Sequence, residues 1–225
     1  MSLLERLTAL FAPDECLSCR REGKLLCDRC TSALPSPLGA CFGCHRTVSG
    51  VACAECLGHS GCNSMSAAVR YEGVAKQLVV SLKFVGNQSA AKVMAERMLA
   101  THSPTTNVLI THLPATAAHI RERGYDQAAL IAIQLARRAE RSHATLLSRL
   151  GKAHQLGADR QERLVQLKHA LRIRKPELVR GRHILLIDDV LTTGASVRAA
   201  TAALLDAGAT KVDVLVFAQA VIAPK

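Results

Sequence analysis

Apolar and polar positions alternate in blocks over the last two-thirds of the chain. Short unbroken apolar runs are typical of buried strands, and they predict strands at Val108–Thr111, His183–Ile187 and Val212–Ala218. Between these runs the apolar residues recur at helical spacing, which predicts helices at Ser89–Thr101, Gln127–Arg141 and Ser196–Ala207. Strands that alternate with helices predict an α/β fold with a mostly parallel sheet.

The N-terminal segment has a different pattern. One helical stripe of apolar residues predicts a short helix that docks on the body and ends before Pro13; its members are Leu3, Leu4, Leu7, Leu10 and Phe11. The segment lacks a basic start and has charges inside its apolar stretch, which disfavours a secretion signal. No apolar run approaches the roughly 20 residues of a membrane-spanning helix. We therefore expect a cytoplasmic protein without a membrane span, and a transient membrane contact is the less favoured alternative.

Eight of the nine cysteines lie in the first 56 residues and form four Cys-x-x-Cys pairs: Cys16 and Cys19, Cys27 and Cys30, Cys41 and Cys44, Cys53 and Cys56. Each pair supplies two corners of a tetrahedron, so four pairs predict two structural zinc sites in residues 1–62. Sequential pairing gives two ribbons whose seven- and eight-residue gaps fit small hairpins, while interleaved pairing stays open. A reducing compartment disfavours disulfides.

The net charge of +11 lies entirely in the second part of the chain. Residues 1–62 contain six basic and six acidic residues, whereas residues 63–225 contain 23 and 12. Residues 137–182 alone contain thirteen basic and four acidic residues, which indicates a polyanionic partner: the phosphates of a small ligand or of nucleic acid. Aromatic residues make up only 3% of the chain and none is Trp, which disfavours a base-stacking platform for single strands.

One stretch carries candidate chemistry. The apolar run Leu185–Ile187 is followed by Asp188, Asp189, a loop rich in hydroxyls, and a predicted helix. Gly194 lets the backbone approach a phosphate closely, and the amides at the helix start donate to an anion together with the hydroxyls of Thr192–Ser196. The two carboxylates accept hydrogen bonds from ribose hydroxyls. A Ser-capped helix after an Asp turn is the simpler interpretation, but a cap needs one polar residue rather than this series.

This stretch resembles the phosphoribosyl diphosphate (PRPP) signature of type I phosphoribosyltransferases. With the cysteine pairs, the chain resembles from end to end the ComF family, also called the GntX family, in which a double zinc ribbon precedes a phosphoribosyltransferase domain. The segments Arg70–Phe84, Arg121–Ala128 and Gln155–Arg163 add to the resemblance. It implies a type I phosphoribosyltransferase fold for residues 63–225.

The resemblance also implies roles for individual residues. Asp188 and Asp189 are the implied catalytic acids and hold the ribose hydroxyls, while Mg²⁺ bridges the diphosphate and ribose oxygens. The 5′-phosphate is held by Thr192, Thr193, Gly194, Ala195 and Ser196. The loop 111–114 and basic side chains hold the diphosphate. Arginine forks match phosphate oxygens in two-point geometry, so the candidates are Arg121 and Arg123, and more weakly Lys83 and Arg163.

One departure from the family pattern bears on this site. Asp126 stands where the family usually has Asn, between Tyr125 and Gln127. The added carboxylate would repel a diphosphate unless a cation offsets it.

Three functions stay open. The resemblance implies a protein that binds PRPP with Mg²⁺ and acts in natural transformation, with single-stranded DNA and the DNA-uptake machinery as partners. The first alternative is an active phosphoribosyltransferase of unknown acceptor, in which diphosphate leaves an oxocarbenium-like centre and His112 is a weak candidate for the general base. The second is a PRPP sensor that regulates a partner without turnover. The sequence does not indicate the acceptor or the oligomeric state.

Overall fold

The computed structural model describes residues 15–37, 39–149 and 171–220. The predicted N-terminal helix, Arg163 and part of the basic segment 137–182 lie outside these residues. Within the described ranges, we find no helix that combines the length and the apolar character required to cross a bilayer.

The described chain contains six strands, eight α-helices and one π-helical turn. The strands are β1 (Ser64–Arg70), β2 (Val108–His112), β3 (Leu147–Arg149), β4 (Leu171–Ile173), β5 (His183–Leu191) and β6 (Lys211–Gln219). The helices are α1 (Asp28–Ser32), α2 (Ala54–Ser60), α3 (Gly73–Val80), α4 (Ser89–Thr101), α5 (Ala117–Arg123), α6 (Gln127–Ala139), α7 (Pro176–Val179) and α8 (Ala195–Asp206). The π-helical turn, Ser81–Val85, continues α3.

Four of the strands form one parallel sheet in the order β1-β6-β5-β2, which confirms the predicted α/β class. The two central strands are apolar along most of their length because helices or loops cover both faces of the sheet. Ile187 of β5 pairs with His112 of β2 on one side and with Leu215 of β6 on the other. This register aligns the carboxyl ends of the strands. Strands β3 and β4 form a separate antiparallel pair.

Two apolar cores cover the two faces of the sheet. On the first face, α4 and α6 pack against each other and against the sheet, around the fully buried Phe217 and Leu135. On the second face, α8 packs through Val197 and Leu204. We call these the first-face core and the second-face core.

The two halves of the cysteine-rich segment pack on opposite faces. Leu34 from residues 15–37 belongs to the first-face core, whereas Phe42 and Val51 from residues 39–62 belong to the second-face core. Gln219 Nε2, at the end of β6, donates to Ala40 O at 2.7 Å. The cysteine-rich segment is therefore attached to the carboxyl-end region of the sheet.

The predicted elements differ from the structure mainly at their ends. The helix Ser89–Thr101 is confirmed. The helix predicted to reach Arg141 ends at Ala139, because Glu140 adopts a left-handed conformation with a φ of 54°. Strand β5 continues beyond Ile187, so the two acids lie inside the strand rather than after it.

Two stacked histidines lie at the carboxyl end of β2. His112 Nδ1 lies 3.2 Å from His143 Nε2, and the two rings stack with their centroids 5.4 Å apart. His143 belongs to an extended segment beside β2, in which Ser142 O accepts from Ile110 N at 2.9 Å. Burial lowers the pKa of both imidazoles, to about 4 for His143. The folded protein therefore holds both rings neutral near pH 7.

We predict that a buried and an exposed substitution on α6 lower the free energy of unfolding by clearly different amounts. Leu135→Ala, which leaves a void in the first-face core, should lower the free energy of unfolding by about 2–5 kcal/mol. Ile133→Ala, on the same helix with 40% of the residue exposed, should cost less than about 1 kcal/mol. Urea unfolding measures both, and similar losses for the two variants would contradict the described packing of α6.

The histidine pair predicts a loss of stability in acid. Between about pH 6.5 and about pH 4 the unfolded chain binds protons at these histidines and the folded chain does not, so the free energy of unfolding falls as the pH falls through this window. His143→Gln should flatten this dependence, whereas His119→Gln, at an exposed position on α5, should leave it unchanged. Urea unfolding at pH 7, 6 and 5 makes the comparison. An undiminished slope in His143→Gln would refute the role assigned to the pair.

Candidate functional site

The acidic pair lies near the carboxyl end of the central strand β5. Successive residues of a strand point to opposite faces. Asp189 therefore shares a face with Ile187 of the first-face core, and Asp188 shares the other with Leu186. Asp189 is 4% exposed, whereas Asp188 is half-buried. The two carboxylates consequently meet different neighbours.

Lys83 is the partner of Asp189. Its Nζ lies 2.9 Å from Oδ1 and 2.8 Å from Oδ2 of Asp189, and the lysine side chain is 21% exposed. Lys83 lies in the π-helical turn Ser81–Val85, a local irregularity that often marks functional positions. The structure thus brings this predicted PRPP-binding residue to the acidic pair, where it neutralises one carboxylate.

Asp188 lies in a more negative environment. Loss of hydration raises the pKa of the Asp188 carboxyl well above its usual range, and the charge of Asp189 raises it further. The N–H of Asp189, which donates to Asp188 Oδ1 at 2.9 Å, and the charges of Lys83 and Arg149 oppose this rise in pKa only in part. A cation placed here would be stabilised by the remaining negative charge.

Arg149 is a residue of the site that the sequence did not predict. It ends β3, its Nε donates to Pro114 O at 2.7 Å, and its Nη2 lies 3.5 Å from Ser196 Oγ. It thus connects the loop after β2 to the start of α8. A three-residue strand has no readable apolar period, and thirteen basic residues lie in the segment 137–182, so nothing in the sequence distinguishes this arginine.

The loop Thr192–Ser196, called the phosphate loop below, turns the chain from β5 into α8. Thr192 and Thr193 are exposed, while Gly194 is buried and begins α8 as its N-cap with a φ of 68°. Gly194 has no side chain to cap the helix, and Thr193 Oγ1 accepts only from the N–H of Ala195, at 3.4 Å. The remaining N–H groups at the helix start lack partners within the helix and favour an anion. The cap is glycine, so the Ser-capped interpretation is wrong.

The glycine at 194 faces the cysteine-rich segment. A Cβ built on Gly194 would lie 2.3 Å from Cε2 of Phe42, so any side chain at this position would require the ring or the loop to shift. The sequence predicts that this glycine allows the close approach of a phosphate. The structure gives two other reasons, the positive φ and the aromatic ring, and only the remaining surface of the loop is available to a ligand.

The loop after β2 lies beside the end of β5, because Leu113 N donates to Ile187 O at 2.9 Å. Asp126 caps α6 by accepting from the N–H groups of Ala128 and Ala129, at 3.0 and 3.2 Å, and also accepts from Ala115 N at 2.7 Å. Three N–H groups thus hold this carboxylate in the corner between α5 and α6. Asp126 therefore has a structural role as a helix cap. The prediction that its carboxylate repels a diphosphate did not include this role.

Of the two predicted arginines on α5, one lies at a cavity. Arg123 and Lys83 line an open cavity of about 250 Å³ together with Phe84 and Tyr125. The guanidinium carbon of Arg123 is 5.1 Å from the centroid of the Phe84 ring. Arg121 is exposed, is not among the residues that line this cavity, and forms no ion pair with the part of the chain that the structure describes.

The eight paired cysteines form two groups of four in sequential order. The sulfur atoms of Cys16, Cys19, Cys27 and Cys30 lie within 4.8 Å of one another, as do those of Cys41, Cys44, Cys53 and Cys56. Three of the Sγ–Sγ distances are 3.7 Å. Zinc–sulfur bonds of about 2.3 Å in a tetrahedron place the sulfurs about 3.8 Å apart. Both groups therefore fit zinc, and the interleaved alternative is wrong.

The ribbons are built differently from the predicted hairpins. An antiparallel bridge encloses the first cysteine pair of each group, Glu15 with Glu22 and Ala40 with Thr47. The second pairs lie at the starts of α1 and α2. The gaps between the pairs therefore do not form the hairpins themselves.

Hydrogen bonds lower the pKa of two thiols in each group, Cys16 and Cys27 in the first and Cys41 and Cys44 in the second. Burial raises the pKa of Cys16 and Cys41, but hydrogen bonds from backbone N–H groups outweigh this effect and lower the pKa of each thiol to about 6. These two side chains are therefore largely thiolates at neutral pH, which is the form that binds zinc.

Comparisons with known proteins agree with this geometry. The model of the phosphoribosyl transferase domain matches residues 62–222. Competence protein ComFC of Bacillus subtilis is 30% identical over 141 residues, which are 61% of this chain and 56% of that protein, so the match spans little more than half of ComFC. DNA utilization protein YhgH of Escherichia coli O6:H1 is 28% identical over 223 residues, which are 91% of this chain and 96% of YhgH.

Among solved structures, glutamine PRPP amidotransferase of Bacillus subtilis is 22% identical with a TM-score of 0.44, covering 57% of this chain and 26% of that chain. The family assignment rests instead on the model of the phosphoribosyl transferase domain, which matches more than half of the chain. Taken with the two groups of four cysteines that precede it and with the ComFC and YhgH relatives, it shows that the chain belongs to the phosphoribosyl transferase domain family, as a ComF-like member.

Proposed function

We propose that the protein binds PRPP together with Mg²⁺ at the carboxyl end of β5, and that it acts in the handling of single-stranded DNA during uptake. One observation carries the first part: the acidic pair Asp188–Asp189 near the end of β5 is followed, after residues 190–193, by a helix whose N-cap is a glycine. PRPP presents two ribose hydroxyls beside a phosphate, and this arrangement offers carboxylate acceptors beside N–H donors. The phosphate loop would take the 5′-phosphate.

The acidic pair fits Mg²⁺. Carboxylate oxygens are ligands that Mg²⁺ prefers. The pKa of Asp188 is raised first by loss of hydration and then by the charge of Asp189, and Lys83 and Arg149 offset this rise only in part. Asp188 and Asp189 would hold the ion through ribose and diphosphate oxygens. When bound, Mg²⁺ would neutralise charge on the diphosphate.

The diphosphate would meet the cations around the acidic pair. Lys83 and Arg123 line one cavity, and Arg149 reaches from the other side to Ser196. Lys83, whose Nζ pairs with Asp189 in this structure, would also be within the region that meets a diphosphate oxygen. Arg121, which is exposed, remains a weaker candidate.

Transfer to an acceptor is the alternative. An acceptor nucleophile would form a bond to C1 of the ribose while the C1–O bond breaks and its electron pair leaves with diphosphate; a base must take the proton of the acceptor. His112 is buried and stacked on His143, and Asp126 is held by three N–H groups. Neither of these two groups is available as this base. A PRPP sensor that regulates a partner fits the same geometry.

The role in DNA uptake rests on the relatives. One is a competence protein and the other a DNA utilization protein. We therefore propose the DNA-uptake machinery and single-stranded DNA as partners, at the cytoplasmic side of the membrane. Within the chain, we propose residues 1–62 as the zinc module and residues 63–225 as the phosphoribosyltransferase-like domain.

The pKa of Asp188 predicts how PRPP binding depends on pH. Because this pKa is raised, Asp188 takes up a proton at a higher pH than an ordinary carboxyl, so the affinity for PRPP in the presence of Mg²⁺ should be lower at pH 6 than at pH 8. Asp188→Asn should bind about tenfold or more weakly at pH 8, since hydrogen bonds to charged groups contribute about 1.5–3 kcal/mol. Isothermal titration calorimetry at both pH values measures these affinities.

Asp188→Asn also serves as a control for the titration of the ligand. The phosphates of PRPP titrate with both proteins, so the pH dependence of the affinity that remains in Asp188→Asn belongs to the ligand. Equal affinity and equal pH dependence in the wild type and the variant would remove Asp188 from the site.

A specific observation supports contact with DNA. Phe84 is 68% exposed beside the guanidinium of Arg123, although the low aromatic content disfavours a stacking platform. One exposed ring with an adjacent cation suffices to stack one base.

We predict that Phe84→Ala weakens the binding of a single-stranded oligonucleotide at least about fivefold, since stacking of one base contributes about 1–3 kcal/mol. Val85→Ala removes the neighbouring exposed apolar side chain, 73% exposed in the native protein, and should change the affinity less than about twofold. Fluorescence anisotropy at low and moderate salt measures both variants. The same affinity for Phe84→Ala and the wild type would exclude this stacking contact.

A further inference from the structure

Phe42 connects the second group of cysteines to the phosphate loop. It stands directly after the ligand Cys41, and its N–H donates to Val51 O at 2.8 Å. On the other side of it in sequence, Gly43 is so close to the metal site that an added Cβ would lie 2.8 Å from Cys56 Sγ. The backbone of Phe42 is therefore positioned by the loop that holds the metal ligands.

The ring of Phe42 packs directly on the phosphate loop. The three atoms nearest to a Cβ built on Gly194 are Cε2, Cδ2 and Cζ of Phe42, at 2.3, 2.8 and 3.3 Å. The guanidinium carbon of Arg198, one turn into α8, lies 5.9 Å from the ring centroid. Phe42 is 4% exposed. The ring thus touches both the first residue of the helix start and the first turn that follows it.

This contact matters because the N-cap of α8 is a glycine, although Arg149 Nη2 also lies 3.5 Å from Ser196 Oγ in the same loop. A glycine at positive φ has access to more backbone conformations than any other residue, and Gly194 carries no capping side chain. The N–H groups that would bind a phosphate adjoin this residue. Their alignment consequently depends on a support from outside the loop, and Phe42 lies where such a support is needed.

We propose that Phe42 is a positioning residue for the phosphate loop, through which the metal of the second cysteine group controls the affinity for PRPP. The inference rests on the proposed function for its affinity readout. The first cysteine group provides the internal contrast, because Leu34 and Cys16 pack in the core on the opposite face of the sheet.

The direct test is Phe42→Leu. Leucine keeps an apolar side chain in the second-face core but lacks the Cε and Cζ atoms that lie against Gly194. We expect the amides of residues 193–196 to exchange hydrogen about tenfold faster, with the amides of β5 unchanged, and PRPP with Mg²⁺ to bind about tenfold more weakly; coupling between sites is commonly 5- to 150-fold. Leu34→Ala, a buried change in the first half of the module, should leave the loop amides and the affinity unchanged within about twofold.

The metal is tested with one ligand from each group. Cys44→Ser and Cys19→Ser each alter a cysteine outside the apolar cores, and metal analysis reports the zinc that each variant retains. Loss of zinc from the second group should accelerate exchange in residues 193–196, whereas loss of zinc from the first group should not. If Cys44→Ser loses its zinc and the exchange in residues 193–196 stays at the wild-type rate, the control by the metal is overturned.

Hydrogen exchange of the loop amides tests the positioning role of Phe42, and the affinity for PRPP tests the proposed function. If the wild type does not bind PRPP, the proposed function fails, while the loop exchange still tests the coupling. Loop exchange in Phe42→Leu that equals the wild type would overturn the positioning role. A general acceleration that includes β5 would also overturn it, since this would show only a loss of global stability.

Discussion

Strand β5 is hydrogen-bonded on both sides, and this one constraint organises the site. Its neighbours β2 and β6 run parallel to it, so the ends of all three strands reach the same edge of the sheet. The acidic pair, the loop after β2 and the phosphate loop meet there because of that register. Helices or loops cover both faces, so the two adjacent carboxylates face different cores and acquire different partners.

The balance of charge at this edge follows from that placement. Asp189 is buried and neutralised by Lys83, an interaction across 106 residues of sequence. Asp188 retains a raised pKa because it has lost hydration and lies beside the charge of Asp189, and its nearest cations compensate these effects only in part. A site of this kind gains from a divalent cation and from a ligand that offers oxygen atoms to it. The cysteine-rich segment also reaches this edge, since its Phe42 ring packs against Gly194, the N-cap of α8.

Sequence reasoning predicted the parts of the structure that depend on local pattern. The apolar runs of β5 and β6, the helix Ser89–Thr101 and the grouping of cysteines have signals that a short window contains. It did not predict contacts made across the fold. The pairing of Lys83 with Asp189, the reach of Arg149 to Ser196, and the packing of Phe42 on Gly194 each join residues far apart in the chain. Asp126 is an instructive case, because its role as a helix cap depends on three N–H groups that only the folded corner brings together.

The central claim is that one ligand occupies both the phosphate loop and the acidic pair. Calorimetric titration of the wild type with PRPP, with ribose 5-phosphate and with diphosphate, each in the presence and absence of Mg²⁺, tests it most directly. We predict that one PRPP binds per chain and that it binds only weakly without Mg²⁺. In the presence of Mg²⁺, PRPP should bind at least about tenfold more tightly than ribose 5-phosphate or diphosphate, because the linked groups bind together. Absence of PRPP binding, or diphosphate binding as tight as that of PRPP, would contradict the account.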